Sequence, residues 1–345
     1  IHARLQASLS QASWSHKCPT YIQRPPPCQG SCPAGEDIRG WLDIVRGIEK
    51  PSGEMSMQEY AFRRATDANP FPSMMGRVCP APCQEGCNRN HVDDFVGINA
   101  VEQYIGDTAI ENGYSYEAGA STGKKVAMIG GGPAGMSAAF QLRRMGHDAT
   151  VFEERAELGG MMRYGIPGYR IPREKLAAEI GRIVDMGVEV KTNTRVGKDV
   201  SVDDLEKDFD AVLWALGCWT GRGLPVDGWE GTTNCVDGLT FLEAFNNGRM
   251  KVTGKKLVCI GGGDTSIDVV SVARRIGFNA DAGLPEDILR NNETHDQSLA
   301  DAAQPTDATL TSLFTKDKMF AAEHEITDAI EEGVTILDGV MPLEV

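Results

Sequence analysis

Twice along this chain a short apolar run breaks into three consecutive glycines and passes at once into a helical pattern, and few folds accept that arrangement. Val126-Ala127-Met128-Ile129 runs into Gly130-Gly131-Gly132-Pro133-Ala134-Gly135 and a helical stretch from Met136 to Met145. Leu257-Val258-Cys259-Ile260 runs into Gly261-Gly262-Gly263-Asp264-Thr265-Ser266 and a helical stretch from Ile267 to Ile276. A strand that turns sharply into a helix offers backbone N–H groups and the positive end of the helix dipole to an anion, which is how a dinucleotide pyrophosphate is held. In the first motif Gly130 permits the tight turn, Gly132 lets the backbone approach a pyrophosphate, and Gly135 lets the helix pack against the strand, with Pro133 and Ala134 completing the turn. A second strand, Asp148 to Phe152, ends at Glu153, near the distance expected of a carboxylate that accepts hydrogen bonds from a ribose. In the second motif Ser266 stands where a third glycine often sits, and a small residue still permits close packing. Gly261, Gly263, Asp264, Thr265 and Ser266 are therefore a second set of candidate cofactor-binding residues. The bland alternative for either motif is a glycine turn that holds no nucleotide.

From Lys124 onward apolar strands alternate with amphipathic helices, the pattern of α/β domains with parallel sheets. The first 120 residues differ. Pro and Gly clusters such as Arg24-Pro25-Pro26-Pro27 and Asn69-Pro70-Phe71-Pro72 separate short helical stretches at Ile38 to Ile48 and Asn99 to Asn112. This predicts a loop-rich helical domain over 1–120, a first Rossmann-like domain over 121–250, and a second over 251–345 with an insertion at about 279–307. Of the nine cysteines, six crowd between residues 18 and 87, an asymmetry that points to metal and not to secreted disulfides. Cys79, Cys83 and Cys87 recur every fourth residue, as do Cys28 and Cys32, and Cys18 stands apart. Thiolates are soft ligands that suit iron–sulfur clusters and zinc, and a structural zinc on one four-Cys subset remains open at this point. A loop-rich domain with little apolar material gains its cross-links from such a site.

A formal net charge of −15 over 345 residues argues against nucleic acid or an anionic membrane as the main partner. No apolar run approaches a spanning helix, and the N-terminal stretch lacks the apolar block of a secretory signal, so a cytoplasmic protein is expected. The chain does not begin with Met, which reads as processing or a missing start. Cys218, Cys235 and Cys259 read as packing residues. His2, His16, His91, His147, His295 and His324 read as surface or structural, His16 being a remote candidate ligand beside Cys18. Asp203 to Asp208 reads as a solvated helix start, and Trp214 and Trp219 as core.

Gly130 to Gly135, Glu153, Leu158-Gly159-Gly160, Gly165-Ile166-Pro167 and the motif at Gly261 together resemble the glutamate synthase small-subunit-like flavoproteins, over nearly the whole chain. The segment Cys28-Gln29-Gly30-Ser31-Cys32-Pro33 with Cys79-Pro80-Ala81-Pro82-Cys83-Gln84-Glu85-Gly86-Cys87 is similar to the iron–sulfur part that this family shares with dihydropyrimidine dehydrogenase. The resemblance implies FAD at the first glycine motif, with Leu158, Gly160, Ile166 and Pro167 along the flavin, and NADH or NADPH at the second. It implies two [4Fe-4S] clusters. One would take Cys32, Cys79, Cys83 and Glu102, with Gln103 as the alternative to Glu102. The other would take Cys28, Cys87 and Cys18 with a ligand that has no counterpart here, because the family's opening Cys-x-x-Cys pair falls on Thr20 and Gln23. Aligning Met319-Phe320-Ala321 with the family's Met-Pro-Ala puts Leu313 and Phe314 where the family carries a basic pair for the extra phosphate of NADP, so NADH is expected.

The implied activity is that of an NAD(P)H:acceptor oxidoreductase, in which hydride passes from nicotinamide to FAD and single electrons pass through the clusters to a partner redox protein. Such chemistry needs orientation and no side-chain acid or base, and no catalytic residue is named. Within the family, the Arg24 to Pro33 stretch and the long insertion resemble the flavoprotein associated with dissimilatory sulfite reductase in sulfur oxidisers. The partner is then a sulfite reductase system, with a glutamate synthase large subunit as the alternative. A homo-oligomer is expected, and a non-catalytic assembly module is the alternative of another class. The family's chain continues past the point matching Val345 to complete its FAD domain, so this chain is read as a piece of a longer protein.

Overall fold

The computed structural model describes residues 25–93, 95–230, 232, 235–248, 255–277 and 304–344. Cys18, His2, His16, His295 and most of the insertion lie outside the described residues. The chain divides into two compact units, one of 1–68 with 81–98, the other of 69–80 with 99–345.

In the first unit α1 (Pro27–Ser31) precedes α2 (Ile38–Val45) and α3 (Met57–Ala65). The Asp37 side chain caps α2 by accepting from the Gly40 N–H at 3.1 Å. Ser56 caps α3 by accepting from Glu59 N–H, the first half of a Ser-x-x-Glu capping box. The apolar stripe Ile38, Trp41 and Ile44 is buried, as are Ala61, Phe62 and Ala65 on α3, which packs against it.

The second unit opens with α4 (Pro72–Val78), whereas α5 (Pro82–Glu85), which follows it in sequence, belongs to the first unit. The long α6 (Ile98–Glu111) then leads into the α/β part. α4 and α6 cross with backbone against backbone, since a Cβ on Gly76 would overlap Gln103 and one on Gly106 would overlap Ser73.

The remaining elements, in chain order, are β1 (Lys125–Ile129), α7 (Pro133–Arg144), β2 (Asp148–Phe152), α8 (Met161–Tyr164), α9 (Arg173–Val184), β3 (Glu189–Lys191), α10 (Val202–Asp208), β4 (Ala211–Trp214), α11 (Gly238–Asn246), β5 (Lys256–Ile260), α12 (Asp264–Ile276), β6 (Asp307–Thr311), α13 (Glu323–Glu331) and β7 (Thr335–Leu337). The first sheet has the order β3-β2-β1-β4 and the second β5-β6-β7, with every pairing parallel. These are Rossmann-like α/β folds, and both glycine motifs sit at the carboxyl ends of their first strands. In the first sheet that end lies where the order reverses between β2 and β4, the usual ligand crevice of such sheets.

β1 is buried on both faces, as a parallel strand should be. Met128 joins Met136, Phe140, Val151, Leu176, Ile180 and Ile183 on one side, while Ala127 and Ile129 join Phe152 and Leu205 on the other. Met74 of α4 is fully buried in the first of these clusters. Ser201 caps α10, so the acidic run is a helix start as the sequence suggests. The reading of both tryptophans as core is corrected: Trp214 is 53% exposed on the outer strand β4, where one edge has no described partner, and Trp219 is half-buried. Cys218 is exposed too, and Cys235 and Cys259 are half-buried.

A polar tie joins three helices. Asp107 of α6 accepts from Arg77 of α4 at 2.7 Å and pairs with Lys175 of α9 at 3.0 Å. Burial raises the Asp107 carboxyl, but hydrogen bonds from Arg77, Ser73 and Lys175 outweigh it and hold the group down to about 2. A carboxyl depressed in the folded state contributes stability that is present above its unfolded value and is withdrawn as pH falls through the folded one. Acid unfolding of the wild type is therefore expected to steepen between about pH 4 and pH 2. In Asp107→Asn that segment should flatten, and an unchanged acid limb would contradict the assignment. Truncating the fully buried Leu176 to Ala should lower unfolding free energy by about 2–5 kcal/mol in urea melts.

Candidate functional site

At the first glycine motif the backbone does most of the work. Gly130 has φ +113° and faces the Ala215 carbonyl so closely that a side chain would overlap it, so only glycine fits the turn. Gly132 is the N-cap of α7 and offers no capping side chain, and Pro133 follows at N1, where its missing N–H costs nothing. The amides of Ala134 and Gly135 therefore open the helix beside its positive dipole end. A Cβ on Gly135 would overlap the Gly130 carbonyl oxygen, which is the close helix–strand seat the sequence anticipates.

Glu153, nearly buried, accepts from the Gly131 N–H at 2.7 Å through one oxygen and from the Arg155 N–H at 2.9 Å through the other. Each oxygen keeps acceptor capacity. Leu158-Gly159-Gly160 is bound to the same turn, because Gly159 N–H donates to Gly131 O at 2.9 Å and Gly160 lies against Gly132 with no room for a Cβ on Gly160. The loop through Ile166 and Pro167 is held by its carbonyls. Asn246 donates to those of Tyr164, Gly165 and Ile166, and Arg173 donates to those of Met162 and Ile166 at 2.8 and 2.9 Å. Thus Gly130, Gly132, Pro133, Ala134, Gly135, Glu153, Leu158, Gly160, Ile166 and Pro167 belong to one cradle or to the loop beside it. A glycine-lined approach, a helix N-terminus and a carboxylate at its side fit an adenine dinucleotide.

The second motif has the same design with looser walls. Gly261 has φ +148°, and its neighbour Ser266 occupies the space where a Gly261 side chain would go. Gly263, the N-cap of α12, has nothing near its missing Cβ. Gly262 O accepts from the amides of Phe320 and Ala321, and Asp264 accepts from the Ala322 amide at 3.1 Å, so the loop before α13 is laced to the motif. Thr265 is exposed. Leu313 (61% exposed) and Phe314 (45%) follow β6, and the Phe314 ring meets Phe320 edge-on.

The cysteines are considered unit by unit. Among the described cysteines none forms a disulfide. In the first unit Cys28 and Cys32 lie in and just after α1, Cys83 on α5 is buried, and Cys87 follows it, with α1 packed on α5. Burial raises the Cys28 pKa above its ordinary value, and the Cys87 thiol adds to the rise. In the second unit Cys79 ends α4, its carbonyl held by the Asn99 side chain at 2.8 Å. Glu102 is nearly buried and accepts from Asn69 at 2.6 Å. Between Cys79 and Cys83 the chain turns through Ala81 with φ +56°, a conformation that strains a non-glycine residue. Among the described residues no three metal-binding side chains converge. The donor set, soft thiols in and beside the short helices α1, α4 and α5, still fits iron–sulfur chemistry.

Sequence reasoning missed three features because each joins residues far apart. Arg155 lies over the Trp219 ring at 4.0 Å and the Tyr164 ring at 4.7 Å, and pairs with Glu243. Arg170, just past Pro167, pairs with Asp268 of α12 at 2.8 Å and with Glu325 of α13, and burial pushes the Glu325 carboxyl up to about 7. Glu179 of α9 receives two backbone amides of α4.

Residues 124–306 match the family of pyridine nucleotide-disulphide oxidoreductases, and residues 4–114 match a family described as dihydropyrimidine dehydrogenase domain II, 4Fe-4S cluster. The chain is 35% identical to the beta subunit of NADP(+)-dependent formate dehydrogenase of Moorella thermoacetica, over 73% of this chain and 38% of that protein. It is 37% identical to NADPH-Fe(3+) oxidoreductase subunit beta of Geobacter sulfurreducens, over 73% and 37%. It is 35% identical to the glutamate synthase (NADPH) small chain of Mycobacterium tuberculosis, over 73% and 53%. The chain thus spans from 37% to 53% of the length of these relatives. Two glycine turns at the carboxyl ends of parallel strands, a carboxylate beside the first, and a match over more than half of the residues agree: this chain belongs to the pyridine nucleotide-disulphide oxidoreductase family and carries a 4Fe–4S domain ahead of its nucleotide-binding folds.

Proposed function

We propose that the chain is the electron-input part of an NAD(P)H:acceptor oxidoreductase, with FAD on the first glycine motif, NADH on the second, and two [4Fe-4S] clusters on the cysteine segment. The domains would run 1–120, 121–250 and 251–345. The observation that carries the reading is the pair of cradles in one unit, each a strand, a positive-φ glycine and a helix N-terminus, with Arg170 joining the loop of the first to the helices of the second. When bound, a nicotinamide would supply a hydride that a flavin can accept, and iron–sulfur clusters would carry the two electrons singly, with net release of one proton.

The chain's own residues bind and orient. Ala134 and Gly135 amides at the start of α7 face the pyrophosphate, and Glu153 accepts from the ribose while holding Gly131. Leu158, Gly160, Ile166 and Pro167 wall the flavin side, their backbone locked by Arg173 and Asn246. Gly261, Gly263, Asp264, Thr265 and Ser266 form the second cradle. Cys32, Cys79, Cys83 and Glu102 would ligate one cluster, and Cys28, Cys87 and Cys18 would serve the other.

NADH is favoured because Leu313 and Phe314 offer no charge to a 2′-phosphate, which an Arg usually meets, although the relatives above are named for NADP or NADPH. The acceptor is a partner redox protein, and the sulfite reductase system is the specific proposal. The names of the relatives, several of them subunits, support a partner and keep the glutamate synthase small subunit as a second reading. A homo-oligomer in the cytoplasm completes the proposal. Among the described residues no helix is long and apolar enough to cross a membrane.

Purified anaerobically, the full-length protein should show flavin and iron–sulfur absorbance that NADH bleaches more readily than NADPH. A colourless protein without iron or sulfide would sink the reading in favour of an assembly module. Replacing Leu313 and Phe314 together by Arg should shift the kcat/KM ratio toward NADPH by about tenfold or more, the size of a charge-assisted bidentate contact. A ratio that stays put would remove these positions from nucleotide choice.

A further inference from the structure

Helix α9 carries a polar stripe where a helix lying on a sheet needs none. Leu176, Ile180 and Ile183 bury its apolar face in the core of the first sheet. Lys175, Glu179 and Arg182 recur at i, i+4 and i+7 on another face; Lys175 reaches α6, Glu179 reaches α4, and Arg182 reaches Tyr116 just beyond α6. Lys175 pairs with Asp107 of α6 at 3.0 Å. The Arg182 guanidinium lies over the Tyr116 ring at 5.4 Å, and the Tyr116 hydroxyl donates to Pro70 O. Glu179 has no solvent exposure, and its two oxygens accept from Ser73 N–H at 2.8 Å and Met74 N–H at 3.2 Å.

Those amides are at the first turn of α4, which has Phe71 at its N-cap and no side-chain cap of its own. Glu179 therefore caps α4 from a distant helix. Burial pushes its carboxyl up to about 8, against the pull of the two amides and of Arg182, with Asp107 adding to the rise. A fully buried carboxyl in this state is an expensive way to glue two helices that Met74 and the glycine crossings already hold together. What it adds is register, because a two-oxygen, two-amide contact has one geometry, whereas an apolar contact tolerates sliding.

The register matters because of what stands at each end. Two residues before Lys175, Arg173 opens α9 and clamps the carbonyls of Met162 and Ile166 on the flavin-side loop. Six residues past Arg173, or about 9 Å along the axis, Glu179 holds α4, and Cys79 is the C-cap of α4. We propose that Glu179 is a positioning residue for electron transfer, using α9 as a spacer that fixes Cys79 at a set distance from the flavin-side loop. The proposal rests on the electron-input reading above.

The test uses the full-length protein with its clusters, under anaerobic conditions. NADH is mixed rapidly with wild type, Glu179→Gln and Glu179→Ala, and flavin bleaching is followed separately from cluster bleaching. Flavin bleaching should stay within about twofold of wild type, because nothing in the nicotinamide cradle changes. Cluster bleaching should slow about tenfold or more in Glu179→Ala and by less in Glu179→Gln, which keeps one acceptor oxygen. Hydrogen exchange at Ser73 and Met74, read on the same proteins before any nicotinamide is added, should quicken in the same order. Quickened exchange with an unslowed cluster phase in both variants would leave Glu179 a structural cap and overturn its role in electron transfer. If Glu179→Ala fails to fold, Glu179→Gln alone decides between the two outcomes. A wild-type flavin that NADH does not bleach would overturn the electron-input reading itself, an outcome recognisable before any variant is made.

Discussion

Between the Gly130 carbonyl and the backbone of Gly135 there is no space for a Cβ, and much of the second unit follows from that approach. It seats α7 directly on β1, which brings Met136, Ala139 and Phe140 against Met128 and Val151 and so closes one face of the sheet. It also fixes where α7 begins, and hence where the free amides and dipole end of that helix point. Glu153 then finds Gly131 within reach at the end of the neighbouring strand. A larger residue at Gly135 would lift the helix, open the core and displace the anion-facing amides together.

Around that seat, polar ties decide what apolar packing leaves loose. Arg173 and Asn246 fix the loop after α8 by its carbonyls, Glu179 and Asp107 fix α4, and Arg170 reaches from the end of that loop to α12 and α13. Each tie involves a group that is costly to bury unpaired. Their side chains therefore hold a position more sharply than equal areas of apolar surface would.

What the sequence discloses and what it conceals divide along range. The two strand–glycine–helix units, the second strand ending at Glu153, and the capped acidic helix α10 were legible because each is a local pattern with a period or a turn chemistry of its own. The helix starts were less so: α7 begins at Pro133 and α12 at Asp264, inside the glycine motifs, because proline and aspartate at a first turn are helix formers in that position only. Trp214 looked like core because it ends an apolar run, yet it lies on an outer strand, and strand order is not written in the strand itself. Glu179 could not have been found, since its partners Ser73 and Met74 lie more than a hundred residues away and the pattern around it is an ordinary amphipathic helix. The thiols were legible as a set, but spacing alone could not apportion them to sites.

The two cradles differ in a way that suits the different lives of their proposed occupants. The first is ringed by its own chain: Gly160 presses on Gly132, Leu158 and Gly159 close over Gly131, and the loop through Ile166 is held by five hydrogen bonds to its carbonyls. The second has open space at Gly263, an exposed Thr265, and a rim of exposed apolar side chains in Leu313, Phe314 and Phe320. A prosthetic group that stays through many turnovers gains from pre-organised walls, because the cost of ordering them is met during folding and not on binding. A nicotinamide that must enter and leave on each cycle gains from the opposite, a site whose contacts are enough to orient it and few enough to release it. On the proposed reading the same glycine turn therefore serves both ends of the hydride transfer, and the loops packed around each copy decide which nucleotide is kept and which is exchanged.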